Sequence, residues 1–229
     1  MNAATLHEPL TRSVEDYLKA IYRLSQKGQP ATTNDIAHQL ELSAPSVSGM
    51  IKRLSEQGLL EHVPYKGVVL TLDGRHAALR TIRRHRIIEA YLVAFLGYGW
   101  ETVHEEAERL EHSVSEMLIE RMAEALGNPR FDPHGDPIPE PDGSVTELVY
   151  TPLSEIPAGE SVEIRQADTS QPDRLRYIAS FGLKPGTRVT IVDRQPFQGP
   201  ITVQVGGQSH ILGHEIAMLL LCARPEIGS

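Results

Sequence analysis

The side chains with the clearest capacity for chemistry lie in residues 103–112, which read VHEEAERLEH. His104, Glu108, Glu111 and His112 recur there at i, i+4, i+7 and i+8. On a helix turning about 100° per residue they fall within an arc of about 100°. Val103, Ala107, Leu110, Val114 and Met117 form a separate apolar stripe on the same predicted helix. Imidazole and carboxylate aligned in this way are ligand types for a divalent metal. The alternative is a solvated acidic face with incidental histidines. Upstream, His85 and Glu89 are four residues apart and share a face with Ile88, Leu92 and Leu96, which should be buried. Such a pair is either a structural hydrogen bond or half of a metal site. Glu101, Glu105, Glu106, Glu116, Glu120 and Glu124 add to the acid crowding, which bound cations would partly neutralise.

The elements that position these residues are bounded by composition. A chain of 229 residues forms one large domain or two to three small ones. Its 40% hydrophobic and 23% charged content fits a soluble globular protein. The first residues, MNAATLHEPLTR, lack the apolar core of a signal peptide, and the longest apolar run, residues 216–223, is too short to span a bilayer. Cys222 is the only cysteine, which excludes intramolecular disulfides and argues against thiolate zinc sites. A cytoplasmic location, with no membrane partner, is the expectation. The net charge of -8 argues against indiscriminate coating of nucleic acid, but not against specific DNA binding, because the acid is unevenly placed.

Residues 1–72 read as a winged helix-turn-helix. Ser13 is a plausible N-cap for a helix carrying Val14, Leu18, Ile21 and Leu24, ending before Lys27. Asp16 sits in its first turn, where an acid stabilises a helix N-terminus. Thr33 is expected to cap a short second helix, and Ser43 a third, with Pro45 in its first turn and Val47, Met50, Ile51 and Leu54 inward. Short helix, tight turn and longer helix is the DNA-reading order. Thr33, Ser43, Pro45, Ser46, Ser48, Gly49, Lys52 and Arg53 are the candidate DNA contacts. Two strand-like runs flank PYKG at 64–67, a wing with Lys66 near its tip. The other possibility for this domain is protein binding.

Residues 73–127 read as two long helices of a dimerisation and metal-binding domain, the first basic through Arg75, Arg80, Arg83, Arg84 and Arg86. Residues 128–160 read as a proline-rich linker, and residues 161–229 as a small β domain with strands near 162–165, 189–193, 201–205 and 210–212. His210 and His214 are expected to be packed or exposed. The fold class is mainly α with a small β part.

These segments resemble a known family. THR-to-glutamate residues 81–89, TIRRHRIIE, with VHEEAERLEH resemble the metal-binding helices of the diphtheria toxin repressor family, SVEDYLKAIYRL its first helix and LSAPSVSGMIKRLSEQGLL its recognition helix. The resemblance implies a homodimeric transcriptional regulator that binds palindromic operator DNA when loaded with metal, with no small organic substrate. It implies Asp16, Glu108, Glu111 and His112 as primary ligands, with His85 joining them or serving a second site with Glu89 and His104. Asp132 and His134, beside a family linker motif, and Asp168 are further candidates. The β domain resembles the SH3-like domain of longer members, also found in a component of ferrous-iron transport. Iron-type members place methionine and cysteine where this chain has Asp16 and Glu108; manganese-type members place acids. Hard oxygen and imidazole donors accept Mn(II), and also Fe(II). Lys19 departs from the glutamate of short manganese regulators. The expected function is therefore Mn(II)-activated repression of metal-uptake genes. The alternatives are an Fe(II)-dependent repressor of the same family and, in another class, a di-metal carboxylate enzyme, although the Glu-x-x-His spacing such bundles need is clear only at Glu101 to His104.

Overall fold

The computed structural model describes residues 10–26, 28–146 and 148–224. Lys27 and residues 1–9, read above for a helix end and a targeting segment, lie outside them. Two compact units emerge, Met1–Arg84 with Pro139–Ser144, and His85–Ile138 with Val145–Ser229.

The first unit begins with helix α1, Arg12–Ser25, which buries Val14, Tyr17, Leu18 and Ile21 at helical spacing. Its N-cap is Thr11, two residues before the expected Ser13; the Thr11 carbonyl accepts from the amides of Val14 and Glu15. Helix α2, Thr33–Gln39, is capped by Thr32 and not by Thr33. The Thr32 hydroxyl accepts from the Asp35 amide at 3.1 Å and donates to Asp35 Oδ2 at 2.6 Å. Thr33 has Ile36 three residues on and no such reciprocal partner, so the cap moves one residue upstream. Helix α3, Ala44–Glu56, starts at the expected cap: the Ser43 hydroxyl accepts from the Ser46 amide at 3.4 Å.

Strands β1, Leu60–Val63, and β2, Gly67–Leu70, pair antiparallel as the wing. Gly67 is required at its base. It has φ +132°, and a Cβ there would stand 2.2 Å from the Ala31 carbonyl oxygen, where Ala31 and Val68 exchange backbone hydrogen bonds. Leu18, Ile21, Ile36, Val47, Leu54 and Val68 fill the core beneath.

Helix α4 runs over Leu72–Leu96. The second predicted long helix is two: α5, Val103–Leu110, and α6, Glu116–Ala125. The break has a local cause. The Ser115 hydroxyl caps α6 by accepting from the Leu118 amide at 3.3 Å, which restarts the helix after Ser113 and Val114. Val103 and Ala107 are fully buried beside Ile87, Ile88, Leu92 and Ile119. Met117 falls on α6 instead of the α5 stripe and is 76% exposed, and Leu96, expected inside, is 59% exposed.

The rest of the second unit is a six-stranded antiparallel sheet in the order β3-β8-β4-β5-β6-β7. The strands are β3 Thr151–Pro152, β4 Ser161–Ala167, β5 Arg188–Arg194, β6 Ile201–Val205, β7 Gln208–Leu212 and β8 Leu220–Ala223. Pairing thus begins at Thr151, inside the span expected as linker. Two helices unforeseen in the sequence, α7 Pro172–Ser180 and α8 His214–Met218, contribute Leu175, Ile178 and Ala217 to its core. His210 packs edge-on against Phe181 at 5.2 Å. Cys222 lies in β8, 1% exposed, and burial pushes its thiol pKa up to about 12. Among the described residues no helix is long and apolar enough to cross a membrane.

Candidate metal centre

The centre in the second unit is built on α4 and α5. His85 and Glu89 are one helical turn apart on α4, and both are almost fully buried. His104 stands on α5. Its Nδ1, His85 Nε2 and Glu89 Oε1 form a triangle with all three edges 3.0 Å. In an octahedral complex with bonds of about 2.1 Å, neighbouring donors are about 3.0 Å apart. Two imidazoles and one carboxylate therefore already have the spacing of one face of such a complex, and the donor set fits a divalent cation.

Around this triangle the other predicted ligands divide. Glu108, on α5, has Oε1 3.5 Å from His104 Nε2 and 3.8 Å from His85 Nδ1. Glu111 is not on the helix face; it is the C-cap of α5, fully buried. Its Oε2 is 2.5 Å from His85 Nδ1 and its Oε1 is 3.2 Å from His112 Nε2, so it links the two histidines. The expected four-residue arc is thus half helix, His104 and Glu108, and half turn, Glu111 and His112.

Asp132 and His134 also join the centre. The His134 ring has Nε2 2.7 Å from the Trp100 carbonyl oxygen and Nδ1 3.5 Å from Glu89 Oε2. Asp132 Oδ1 accepts from the amides of His134 at 2.8 Å and Asp136 at 3.0 Å, and Oδ2 is 3.6 Å from Arg86 Nε. The loop is held down by the Ala167 amide, which donates to the His134 carbonyl at 2.9 Å. Gly135 makes that approach possible. At φ +87° its Cβ position is 1.9 Å from the Arg165 carbonyl oxygen, so no side chain fits. Asp136 and Trp100 were not singled out in the sequence, and Arg86 was read only as part of a basic helix; the linker motif beside Asp132 and His134 was the nearest signal. Asp168 is exposed and belongs to neither His/carboxylate cluster of this unit; its amide donates to the Leu219 carbonyl at 2.7 Å. Asp16 is in the first unit, on α1, with Oδ2 3.9 Å from Arg12 Nε.

Burial opposes charge on His85, but the carboxylates of Glu89 and Glu111 outweigh it and raise its pKa to about 9. For His134 burial is likewise overcome, by Glu89, Asp132 and the Trp100 carbonyl, and its pKa also rises to about 9. Glu89 is held well below the usual carboxylate range: burial works against it, and the His85 charge and hydrogen bonds from His104, His134 and His85 prevail. Burial, then the charges of Asp136 and Glu89, push Asp132 up to about 8 against Arg86 and His134. The cluster therefore gathers positive charge around Glu89, as protons when no cation is supplied.

In the first unit the predicted DNA contacts are largely on the surface. Ser43, Pro45, Ser46, Ser48, Gly49, Lys52 and Arg53 are exposed along α3, Lys66 is exposed on the wing and Thr33 is half-buried. Two hydroxyls are engaged within the helix, Ser43 as cap and Ser48 donating to the Ala44 carbonyl at 3.0 Å. A groove of about 410 Å³ between wing and α2 is lined by Thr32, Thr33, His62, Tyr65 and Lys66.

Comparison with known proteins covers the same segments. Residues 9–68 match the family described as "Iron dependent repressor, N-terminal DNA binding domain", residues 71–140 "Iron dependent repressor, metal binding and dimerisation domain", and residues 151–224 "FeoA domain". The sequence is 35% identical over 220 residues to the iron-dependent repressor IdeR of Mycobacterium leprae, covering 91% of this chain and 95% of that protein. It is 30% identical over 219 residues to the diphtheria toxin repressor of Corynebacterium glutamicum, covering 91% and 94%. A solved structure described as "Manganese-dependent transcriptional repressor complex with manganese" superposes with a TM-score of 0.84 at 37% identity, covering 93% of this chain and 100% of that one. The manganese regulator SloR superposes with a TM-score of 0.75 at 31% identity, covering 94% and 100%.

Proposed function

The chain belongs to the iron-dependent (diphtheria toxin) repressor family of metal-dependent, DNA-binding transcriptional repressors, and from that premise we propose that it is a manganese-activated member. It is a repressor and not an enzyme. The observation that carries the manganese assignment is the donor set. His85, Glu89 and His104 converge at 3.0 Å with nitrogen and oxygen alone, and sulfur is absent from every proposed ligand. Mn(II) lies low in the Irving–Williams order and favours such hard donors. Similar solved structures include manganese-dependent repressors, while relatives described as iron-dependent keep Fe(II) as the second reading.

The proposed ligands are His85, Glu89, His104 and Glu108, with Glu111, His112 and, more weakly, Asp132 and His134. Asp16 enters on the resemblance of its helix, and Asp168 on its place in the family pattern. A bound cation supplies a fixed double positive charge that selects the conformation holding its ligands together. Lys52, Arg53 and Lys66 contribute attraction to phosphates, and the α3 serines and Gly49 meet base edges. Phe95, Leu96, Met117 and Leu118, between 47% and 76% exposed in a single chain, support burial against a second copy in a homodimer. Two-fold symmetry matches a palindromic operator with half-sites about 34 Å apart. Metal-uptake genes are the proposed targets.

The test is fluorescence anisotropy on DNA from the region upstream of the protein's own gene, with Mn(II), Fe(II) and Co(II) under anaerobic conditions and with a chelator. Mn(II) is expected to tighten binding by about 5–150-fold, the usual range of coupling between two sites. Equal affinity in chelator and in saturating Mn(II) would end the proposal.

A further inference from the structure

We infer that α3 reads an exocyclic amino group in the major groove, adenine N6 or cytosine N4, with Ser48 Oγ as the acceptor and Gly49 as the point of close approach. This rests on the repressor reading above and goes beyond it, assigning one hydroxyl a hydrogen-bonding polarity and the base chemistry that matches it.

The first observation is a glycine with no local reason to be where it is. Gly49 lies inside α3, which continues to Glu56, so it does not end the helix. Glycine inside a helix is destabilising relative to alanine. Its φ is outside the left-handed region that would demand glycine. A Cβ added there meets nothing within 4 Å, so no neighbour in the chain needs the space. At about 100° per residue Gly49 falls opposite the buried stripe of Val47, Ile51 and Leu54. Pro45 precedes it by four residues, and Lys52 and Arg53 follow at three and four, all exposed. The outer face of α3 is therefore lowest at Gly49, with two cations beside the dip. The space serves something outside the chain, and residues 9–68 match a DNA-binding domain.

The second observation is independent of the first and concerns the neighbouring hydroxyl. Ser48 Oγ donates to the Ala44 carbonyl at 3.0 Å. A carbonyl only accepts, so the hydroxyl hydrogen is used within the helix and the oxygen keeps its lone pairs for an outside partner. The Ser48 side chain is exposed. Ser43 has the opposite polarity: its Oγ accepts from the Ser46 amide at 3.4 Å, which leaves its own hydrogen to offer.

The base edges then divide by chemistry. In the major groove adenine N6 and cytosine N4 donate, whereas guanine N7 and O6 and thymine O4 accept. An acceptor-only hydroxyl pairs with the first two and opposes the others. Ser48 thus selects for an amine, and Gly49 lets the helix come near enough for one hydroxyl on a short side chain to reach it.

The experiment uses the full-length protein in saturating Mn(II) and a duplex that it selects from a randomised pool, read by fluorescence anisotropy. Amines are deleted one at a time, purine replacing adenine and pyrimidin-2-one replacing cytosine. At one position in a half-site the deletion weakens wild-type binding by about 2- to 12-fold more than it weakens Ser48→Ala, the net effect of one neutral hydrogen bond. The lost base-pairing bond is common to both proteins and cancels in this cycle. Which analogue acts tells adenine from cytosine. Gly49→Ala moves two readouts in opposite directions: the melting temperature rises and affinity for the duplex falls several-fold. A glycine needed only for the fold would lower both. Equal losses in wild type and Ser48→Ala at every amine overturn the acceptor role, and unchanged affinity in Gly49→Ala overturns the close approach. If Mn(II) still tightens wild-type binding in those cases, the repressor reading stands and the inference alone falls; if wild type selects no duplex, both fall.

Discussion

The winged unit and the metal cluster use charge in opposite ways. On α3 and the wing, Lys52, Arg53 and Lys66 stand in water, and Lys52 has only a surface ion pair with Glu56 at 4.0 Å. In the cluster, His85, Glu89 and Glu111 are at most 3% exposed and each contacts another member. Exposed charges act at a distance, are screened by salt and contribute little to the fold. Buried ones are tied to geometry, and removing one leaves its partners uncompensated. Ionisable side chains thus serve as a reach towards DNA in one place and as a buried, converging donor set in the other.

The largest effect expected from this contrast is on stability. In metal-stripped protein, Glu89→Ala should cost about 3–5 kcal/mol by urea denaturation, because it strands buried imidazoles. Lys52→Ala should stay within about 0.5 kcal/mol of wild type. Comparable losses in both would erase the distinction.

Proton linkage follows from the same burial. His85 and His134 have folded pKa values raised to about 9, above the ordinary 6.5. The folded protein therefore holds more protons than the unfolded chain between those limits. Stability from these groups is complete below pH 6.5 and is lost as pH rises through about 9. Mn(II) affinity should move the other way over that window, since the metal takes the deprotonated ring. Denaturation and calorimetric titrations at matched pH values test both slopes; parallel slopes would contradict the proposed ligand roles.

Asp16 sharpens the comparison, being a proposed ligand that belongs to the DNA-reading unit. Asp16→Ala should keep weaker Mn(II) binding and lose most of the metal-induced gain in operator affinity, itself about 1–3 kcal/mol. If Asp16 merely stabilises its helix end, the variant loses a little stability and responds normally to Mn(II). Paired calorimetry and anisotropy decide between these. The smallest effect belongs to the exposed cations: Lys52→Ala should reduce the slope of log affinity against log salt by about 1 and leave the Mn(II) midpoint unchanged.

The parts of the molecule legible in sequence were those governed by neighbours along the chain. Ser43 and Gly58 mark the ends of α3, and the periodicity of Val47, Ile51 and Leu54 gives its buried face. Thr32 displaced Thr33 as a cap because Asp35 answers it, a three-residue signal that was present and overlooked. The break after Leu110 was harder to see, because VHEEAERLEH remains a good helical sequence up to the point where Ser115 restarts the chain. In the cluster, residue types and the spacing of His85 to Glu89 suggested ligands. The Trp100 carbonyl and the divided Glu89 carboxylate are products of tertiary contact that no spacing encodes. Strands β4 to β7 followed from short β runs set between turn residues; α7 was not foreseen, since Leu175 and Ile178 give too short an apolar pattern among charged neighbours.

The position of Cys222 bears on what kind of signal can reach the repressor. It is the sole thiol in the chain, sealed in the β sheet with a pKa near 12, so almost none of it is nucleophilic thiolate at physiological pH. Imidazoles and carboxylates make up the proposed ligand set, with neither thiol nor thioether to be converted to a sulfenic acid or a sulfoxide. Peroxide therefore has no sulfur handle on the ligands themselves, and oxidative stress would be felt through the supply and valence of the metal.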